Sequence, residues 1–176
     1  MNNNIAFLEL KYGDIYGGYP NFYAISEIAL LVFEQDTNRI FLETWNNNMN
    51  IDVVNVFPKV NELGHTIGRG KEVINLRTSR KKPWSEEFRL DERQLAGAFQ
   101  NLRPTKMAIK NFLNKNMRKY RFRDIVTFDG RRDVFLCERS GAYFDRYNII
   151  DIQKTLNKET EYLFSLNKLA VVVGFD

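Results

Sequence analysis

The amino-terminal part of the chain has the alternating apolar and polar positions of β-strands. Between residues 5 and 12, one face of a strand would carry Ile5, Phe7, Glu9 and Lys11, and the opposite face Ala6, Leu8, Leu10 and Tyr12. Successive side chains of a strand point to opposite sides of the sheet, so this alternation predicts a first strand. The apolar runs 24–34 and 39–44 are separated by turn residues at 35–38. We therefore predict three antiparallel strands in a meander.

The next segment, at about 45–90, shows no sustained period. It is rich in Asn at first, and then in Gly and basic residues. We expect an irregular excursion, within which a short strand or helix could form around 51–57 or 73–76, because a structureless loop of this length is unusual.

The carboxyl-terminal half alternates between helical and strand patterns. Asp91 and Thr105 each precede an amphipathic stretch and predict the N-caps of two helices. Short strands are expected at 125–128 and 147–150, with a helix from about 133 to 140 between them, and Ser165 is expected to cap a last helix. This order predicts an α/β fold of the ribonuclease H type, in which a mixed sheet of three antiparallel strands followed by parallel strands is flanked by helices. We expect one domain over residues 1–176.

Composition excludes several classes of site. The chain has 176 residues, one cysteine, Cys137, and one histidine, His65. An intrachain disulfide, a Cys-based zinc site and a His-rich metal site are therefore excluded. No stretch has the length and apolar character of a signal peptide or a membrane span, which indicates a cytoplasmic protein without a membrane partner.

The distribution of charge indicates a polyanionic partner. The formal net charge is only +4. Between residues 103 and 123, however, the chain has no Asp or Glu, and its basic residues are Arg103, Lys106, Lys110, Lys115, Arg118, Lys119, Arg121 and Arg123. Such a stretch creates a strong local positive field. It predicts either a surface that binds phosphates or the solvated face of a helix.

Two short motifs carry a resemblance to a known family. The first is Phe7-Leu8-Glu9-Leu10-Lys11, and the second runs from Val126 to Leu136 with Asp129 and Asp133 four residues apart. Together they resemble the DEDDh-type 3′-to-5′ exonucleases, the group that includes polymerase proofreading subunits. In that family, clustered carboxylates hold two metal ions that orient a water for phosphodiester cleavage.

The resemblance implies a damaged catalytic site. Glu9 and Asp133 match family carboxylates and would bind Mg²⁺ or Mn²⁺ only if the site is active, and no cofactor is expected otherwise. Lys11 stands where the family has a metal ligand, and its charge would repel a divalent cation; it could instead pair with Glu9 or Asp133. The family's histidine base has no counterpart, since His65 lies far from any matching motif.

The leading functional hypothesis is a nucleic-acid-binding, exonuclease-like domain whose hydrolysis is absent or strongly reduced. It would bind single strands or 3′ ends through Lys106, Lys110, Arg118, Lys119, Arg121, Arg131 and Arg132. Two alternatives stay open: an active exonuclease with a ligand such as Glu27 that the motif does not reveal, and a protein-interaction module with a protein partner.

Overall fold

The computed structural model describes residues 4–19 and 22–174. Within these ranges the strands are β1 (Ile5–Ile15), β2 (Tyr23–Glu34), β3 (Arg39–Asn46), β4 (Asp52–Val60), β5 (Thr66–Asn75), β6 (Lys81–Pro83), β7 (Asp124–Thr127) and β8 (Asn148–Asp151). The helices are α1 (Glu92–Tyr120), α2 (Arg131–Arg139), α3 (Ile152–Thr160) and α4 (Leu166–Val172). None of these helices in the described ranges has the length and apolar character needed to cross a membrane.

The strands are hydrogen-bonded in the order β3-β2-β1-β4-β5-β6, and neighbours along this path are antiparallel. Strands β7 and β8 lie off the path. β7 pairs in parallel with residues 5–7 of β1, and β8 pairs in parallel with β7. In the described part of the chain, parallel pairing therefore involves only these two strands of four residues each and the first three residues of β1.

The predicted ribonuclease H-type sheet is wrong. The segment expected to be an irregular excursion instead supplies β4, β5 and β6, which extend the antiparallel path to six strands. Asparagine, glycine and charged residues at many positions of β4 and β5 hide the two-residue period in the sequence. Long-range pairing outweighs this weak local pattern.

The chain divides into two compact units. Unit 1 consists of Met1–Glu9, Ile28–Thr44 and Ile109–Asp176, and unit 2 consists of Leu10–Glu27 and Trp45–Ala108. The prediction of a single domain stays a prediction.

Unit 1 buries apolar side chains from strands and helices. At the start of β1, Ala6 and Leu8 are buried while Phe7 and Glu9 are exposed, which confirms the predicted alternation. The other well-buried side chains of this unit include Leu30, Val32, Ile109, Leu113, Ile125, Leu136 and Cys137. The buried Asn4 side chain donates to the Tyr120 carbonyl oxygen at 2.6 Å, which satisfies a polar group that would be costly to bury alone.

Unit 2 has its own core around four buried side chains, those of Ile15, Ala24, Ile51 and Val53. The partly buried residues Phe22, Met49, Leu76, Leu90 and Leu102 pack against it. The turn after β1 requires glycine at position 17, where φ is +77° and an added Cβ would lie 2.5 Å from the Phe88 ring.

Helix α1 is one helix where two were predicted. Asp91 accepts from the Gln94 amide at 2.8 Å and its own amide donates to the Gln94 side chain, so the predicted cap is confirmed as a reciprocal capping box. The predicted cap at Thr105 is wrong. Thr105 is buried within the helix, and its hydroxyl donates to the Asn101 carbonyl oxygen. The helix continues through Pro104 because its buried face offsets the missing backbone hydrogen bond.

The other predicted elements were found with small shifts of their ends. Ser165 caps α4 by accepting from the Lys168 amide. Helix α3 was missed, although Asp151 directly before it is a common type of N-cap.

Candidate nucleic-acid interface

The two carboxylates of the predicted remnant site lie on different kinds of element in unit 1. Glu9 is on the exposed face of β1, whereas Asp133 is buried in the first turn of α2. The parallel pairing of β1 with β7 brings the turn that precedes α2 alongside β1. A common site formed by Glu9 and Asp133 stays a prediction.

Lys11 forms an ion pair with Glu27, which lies outside the motif Phe7–Lys11. Its Nζ lies 2.8 Å from a carboxylate oxygen of Glu27, and both side chains are largely exposed. Glu27, considered as a further metal ligand, is thus the partner of Lys11 on the neighbouring strand. The expectation of an ion pair with Glu9 or Asp133 stays a prediction. An exposed pair of this kind contributes about 0–1 kcal/mol.

Asp129 does not cap α2. Its φ of 55° is left-handed, the N-cap position belongs to Gly130, and no side chain caps that helix. The amides of Asp129 and Gly130 both donate to the Asp151 carboxylate at 3.1 Å. Asp151 also accepts from the Lys154 amide at 3.2 Å and so caps α3. This carboxylate therefore joins the turn before α2 to the start of α3.

The described residues contain no group of three His, Cys, Asp or Glu side chains that could hold a metal ion. His65 lies in the exposed loop between β4 and β5, where its backbone amide donates to the Asn61 side chain.

Four basic residues of unit 1 lie at and beyond the carboxyl end of α1. Lys115 and Arg118 are exposed on the helix, and Arg121 and Arg123 are exposed in the segment that leads to β7. No ion pair involves any of the four among the described residues. We call these four residues the α1 basic cluster.

Lys119, next to this cluster, is in an ion pair. Its Nζ lies 2.7 Å from a carboxylate oxygen of Glu43 on β3, and the buried Tyr120 hydroxyl donates to the same oxygen. The hydrogen bond from Lys119, followed by that from Tyr120, lowers the pKa of Glu43. The hydrogen bond to Glu43 also raises the pKa of Lys119, so this lysine stays charged but paired.

The remaining predicted contact residues are scattered. Lys106 is exposed in unit 2, while Lys110 is half-buried and its methylene groups lie against Gly141. Arg131 and Arg132 are exposed in the first turn of α2. A cation there is opposed by the helix dipole, so Arg131 and Arg132 are not explained by helix stability.

Comparisons with protein-family models, curated proteins and solved structures found no match to this chain. Together with the six-strand antiparallel path, this result contradicts the predicted membership of the DEDDh-type exonucleases. The motifs around Glu9 and Asp133 are short, and strand alternation and helix initiation explain them without a nuclease ancestry.

Proposed function

We propose that the chain binds nucleic acid through the α1 basic cluster of Lys115, Arg118, Arg121 and Arg123. This proposal rests on one observation. Four exposed cations lie within nine consecutive positions of the chain, and none of them forms an ion pair among the described residues. Phosphate groups supply the negative charge that such a group of cations attracts.

Helix stability explains only part of this cluster. Cations in the last turn of a helix interact favourably with its dipole, and this accounts for Arg118. The effect falls off within one turn, so it does not account for Arg121 and Arg123 beyond the helix end. Cations that are close together in the chain and outside ion pairs repel one another. A polyanionic ligand relieves that repulsion.

The contacts would be made to the backbone of the nucleic acid. Lysine and arginine contacts to phosphate fix a protein on the strand but carry no base information. We therefore expect binding that tolerates sequence changes. The proposal contains no hydrolytic step.

The proposal predicts that removal of the cluster's charge removes binding. In the test variant Lys115, Arg118, Arg121 and Arg123 are each replaced by Gln, which keeps a polar side chain but no charge. The control variant replaces Arg146, Lys154, Lys158 and Lys168, which are exposed elsewhere in unit 1, by Gln. Both variants lose the same formal charge. Fluorescence anisotropy with a labelled single-stranded oligonucleotide should show an affinity weaker by about tenfold or more for the first variant only.

Equal affinity of the two variants would mean that net charge, rather than the cluster, is responsible. If the cluster variant binds the oligonucleotide with the affinity of the parent, the α1 basic cluster is only the solvated end of a helix. Circular dichroism of each variant checks that a loss of binding is not a loss of folding.

A further inference from the structure

Strands β4 and β5 continue together beyond the rest of the sheet of unit 2. β1 pairs with β4 only at Val53 and Val54, and β6 pairs with β5 only at residues 72–74. Residues 56–60 and 66–71 pair only with each other in the described part of the chain. Apart from Gly70 and the half-exposed Asn61, every residue from 56 to 71 is exposed. We call residues 56–71 the β4–β5 ribbon.

One face of the ribbon is cationic. In the antiparallel register Lys71 lies opposite Val56, and Arg69 lies opposite Pro58, so these four side chains share a face. The Nζ of Lys71 lies 4.3 Å from the centre of the Trp84 ring, which holds this cation by a cation–π contact.

On the other face of the ribbon, the Phe57 ring lies over Gly70. Phe57 lies opposite Gly70, and an added Cβ at Gly70 would approach the Phe57 ring to 2.4 Å. Lys59 lies opposite Gly68. Gly70 leaves room for the Phe57 ring on this face, where Lys59 is the charged side chain. Arg69 and Lys71 lie together on the opposite face.

The edges of the ribbon are poor templates for another strand. Pro58 lacks the backbone N–H that a ladder needs, and the register shifts between Lys59 and Val60. Charged residues, proline and irregular pairing are the features by which open strand edges avoid addition of a further strand. Pairing with a second copy of the chain is therefore disfavoured.

The charge and the width of the ribbon fit a nucleic-acid duplex. The face with Arg69 and Lys71 carries two cations, whereas Lys59 lies on the other face. The one carboxylate of the ribbon, Glu62, lies outside its paired residues. A two-stranded β-ribbon fits the major groove of B-form DNA, which is about 12 Å wide.

We propose that the β4–β5 ribbon inserts the face that carries Arg69 and Lys71 into the major groove of duplex DNA. The Arg69 guanidinium would donate to guanine O6 and N7 or to a flanking phosphate, and Val56 and Pro58 would contact thymine methyl groups. This inference rests on the proposed nucleic-acid binding and adds to it a specific element and a preference for duplex over single strand.

The test compares a short fluorescein-labelled DNA duplex of mixed sequence with one of its own single strands, using the full chain. Two variants are measured: Arg69→Gln with Lys71→Gln, and Arg69→Gln alone, which leaves the contact between Lys71 and Trp84 intact. The control is Arg77→Gln with Arg80→Gln, exposed residues of unit 2 outside the ribbon. We expect the double variant to lose about tenfold in duplex affinity, the single variant about fivefold, and both to bind the single strand within about twofold of the parent.

Three outcomes would overturn the inference. If the ribbon variants bind duplex as tightly as the parent, or no more weakly than the control, the ribbon is not in the groove. If the parent binds the single strand but not the duplex, the inference fails while the proposed function stands. If the parent binds neither, both fail. Sedimentation velocity is run in parallel, and an oligomer that dissociates in the ribbon variants would assign the ribbon to self-association instead.

Discussion

At the scale of single residues, Cys137 is expected to be chemically inert in the folded protein. Its side chain is fully buried, and burial, followed by the nearby Asp133 and Glu138 carboxylates, raises the pKa of its thiol to about 12. The thiolate is the reactive species, so a thiol reagent such as DTNB should react only after denaturation. The expected result is negligible modification in buffer and one equivalent in urea. Modification of the native protein at the rate of a free thiol would show that the site opens.

The pair of Glu43 and Lys119 is expected to make stability depend on acidic pH. The folded pKa of Glu43 is lowered from 4.5, so its contribution to stability is present above pH 4.5 and is lost as the pH falls through the lower folded value. Glu43→Gln should cost roughly 0.5–1 kcal/mol at neutral pH and flatten the loss of stability below pH 4.5. Urea unfolding across this range, with the exposed control Glu159→Gln, measures both effects. An acid transition that remains as steep as in the parent would exclude the pair as its source.

Single side chains were predicted from the sequence where the cause is local. The alternation around Glu9 and the cap at Asp91 depend on neighbours in the chain, and both were confirmed. The partner of Lys11 was not predicted, because Glu27 lies on the next strand and their contact depends on strand pairing. For the same reason the sequence did not show that Glu43 neutralises Lys119.

At the scale of elements, the Asp151 carboxylate is expected to stabilise both the turn before α2 and the start of α3. Its carboxylate accepts from the amides of Asp129, Gly130 and Lys154, so it satisfies the turn before α2 and the N-terminus of α3 together. Asp151→Ala should lower the free energy of unfolding by about 1–2 kcal/mol. The matched control is Asp145→Ala, an exposed turn residue. Chemical denaturation measures the difference, and equal stability of the two variants would refute this role.

The sequence predicted elements best where the pattern is regular. Strands β1, β2 and β3 have clear apolar runs, and α2 follows a short buried strand. The sequence predicted only an irregular segment with a short strand or helix around 51–57 or 73–76 where β4 and β5 form. Their outer residues are exposed on both faces, so no buried face produces an alternating pattern. Helix α1 was predicted as two helices, because Thr105 is a residue type common at N-caps and a second amphipathic stretch follows it.

At the scale of the whole molecule, the arrangement of charge matters more than its sum. The formal charge is +4, from 26 basic and 22 acidic residues, which by itself indicates little about a partner. The stretch 103–123, which contains no Asp or Glu, was identified from the sequence. Only the structure shows which of these cations are exposed, paired or half-buried. Arg118 is exposed, Lys119 forms an ion pair with Glu43, and the half-buried Lys110 lies against Gly141.

The salt dependence of single-strand binding tests the central claim most directly. Each phosphate that a cation neutralises releases counterions and contributes about 0.7 to the slope of log affinity against log salt concentration. The parent should show a steep slope, and the variant with Gln at Lys115, Arg118, Arg121 and Arg123 should show a slope lower by roughly 0.7 for each phosphate that it no longer neutralises. The control variant with Gln at four other exposed positions of unit 1 should keep the slope of the parent. If the cluster variant has the same affinity and the same slope as the parent from low to moderate salt, the α1 basic cluster does not bind nucleic acid.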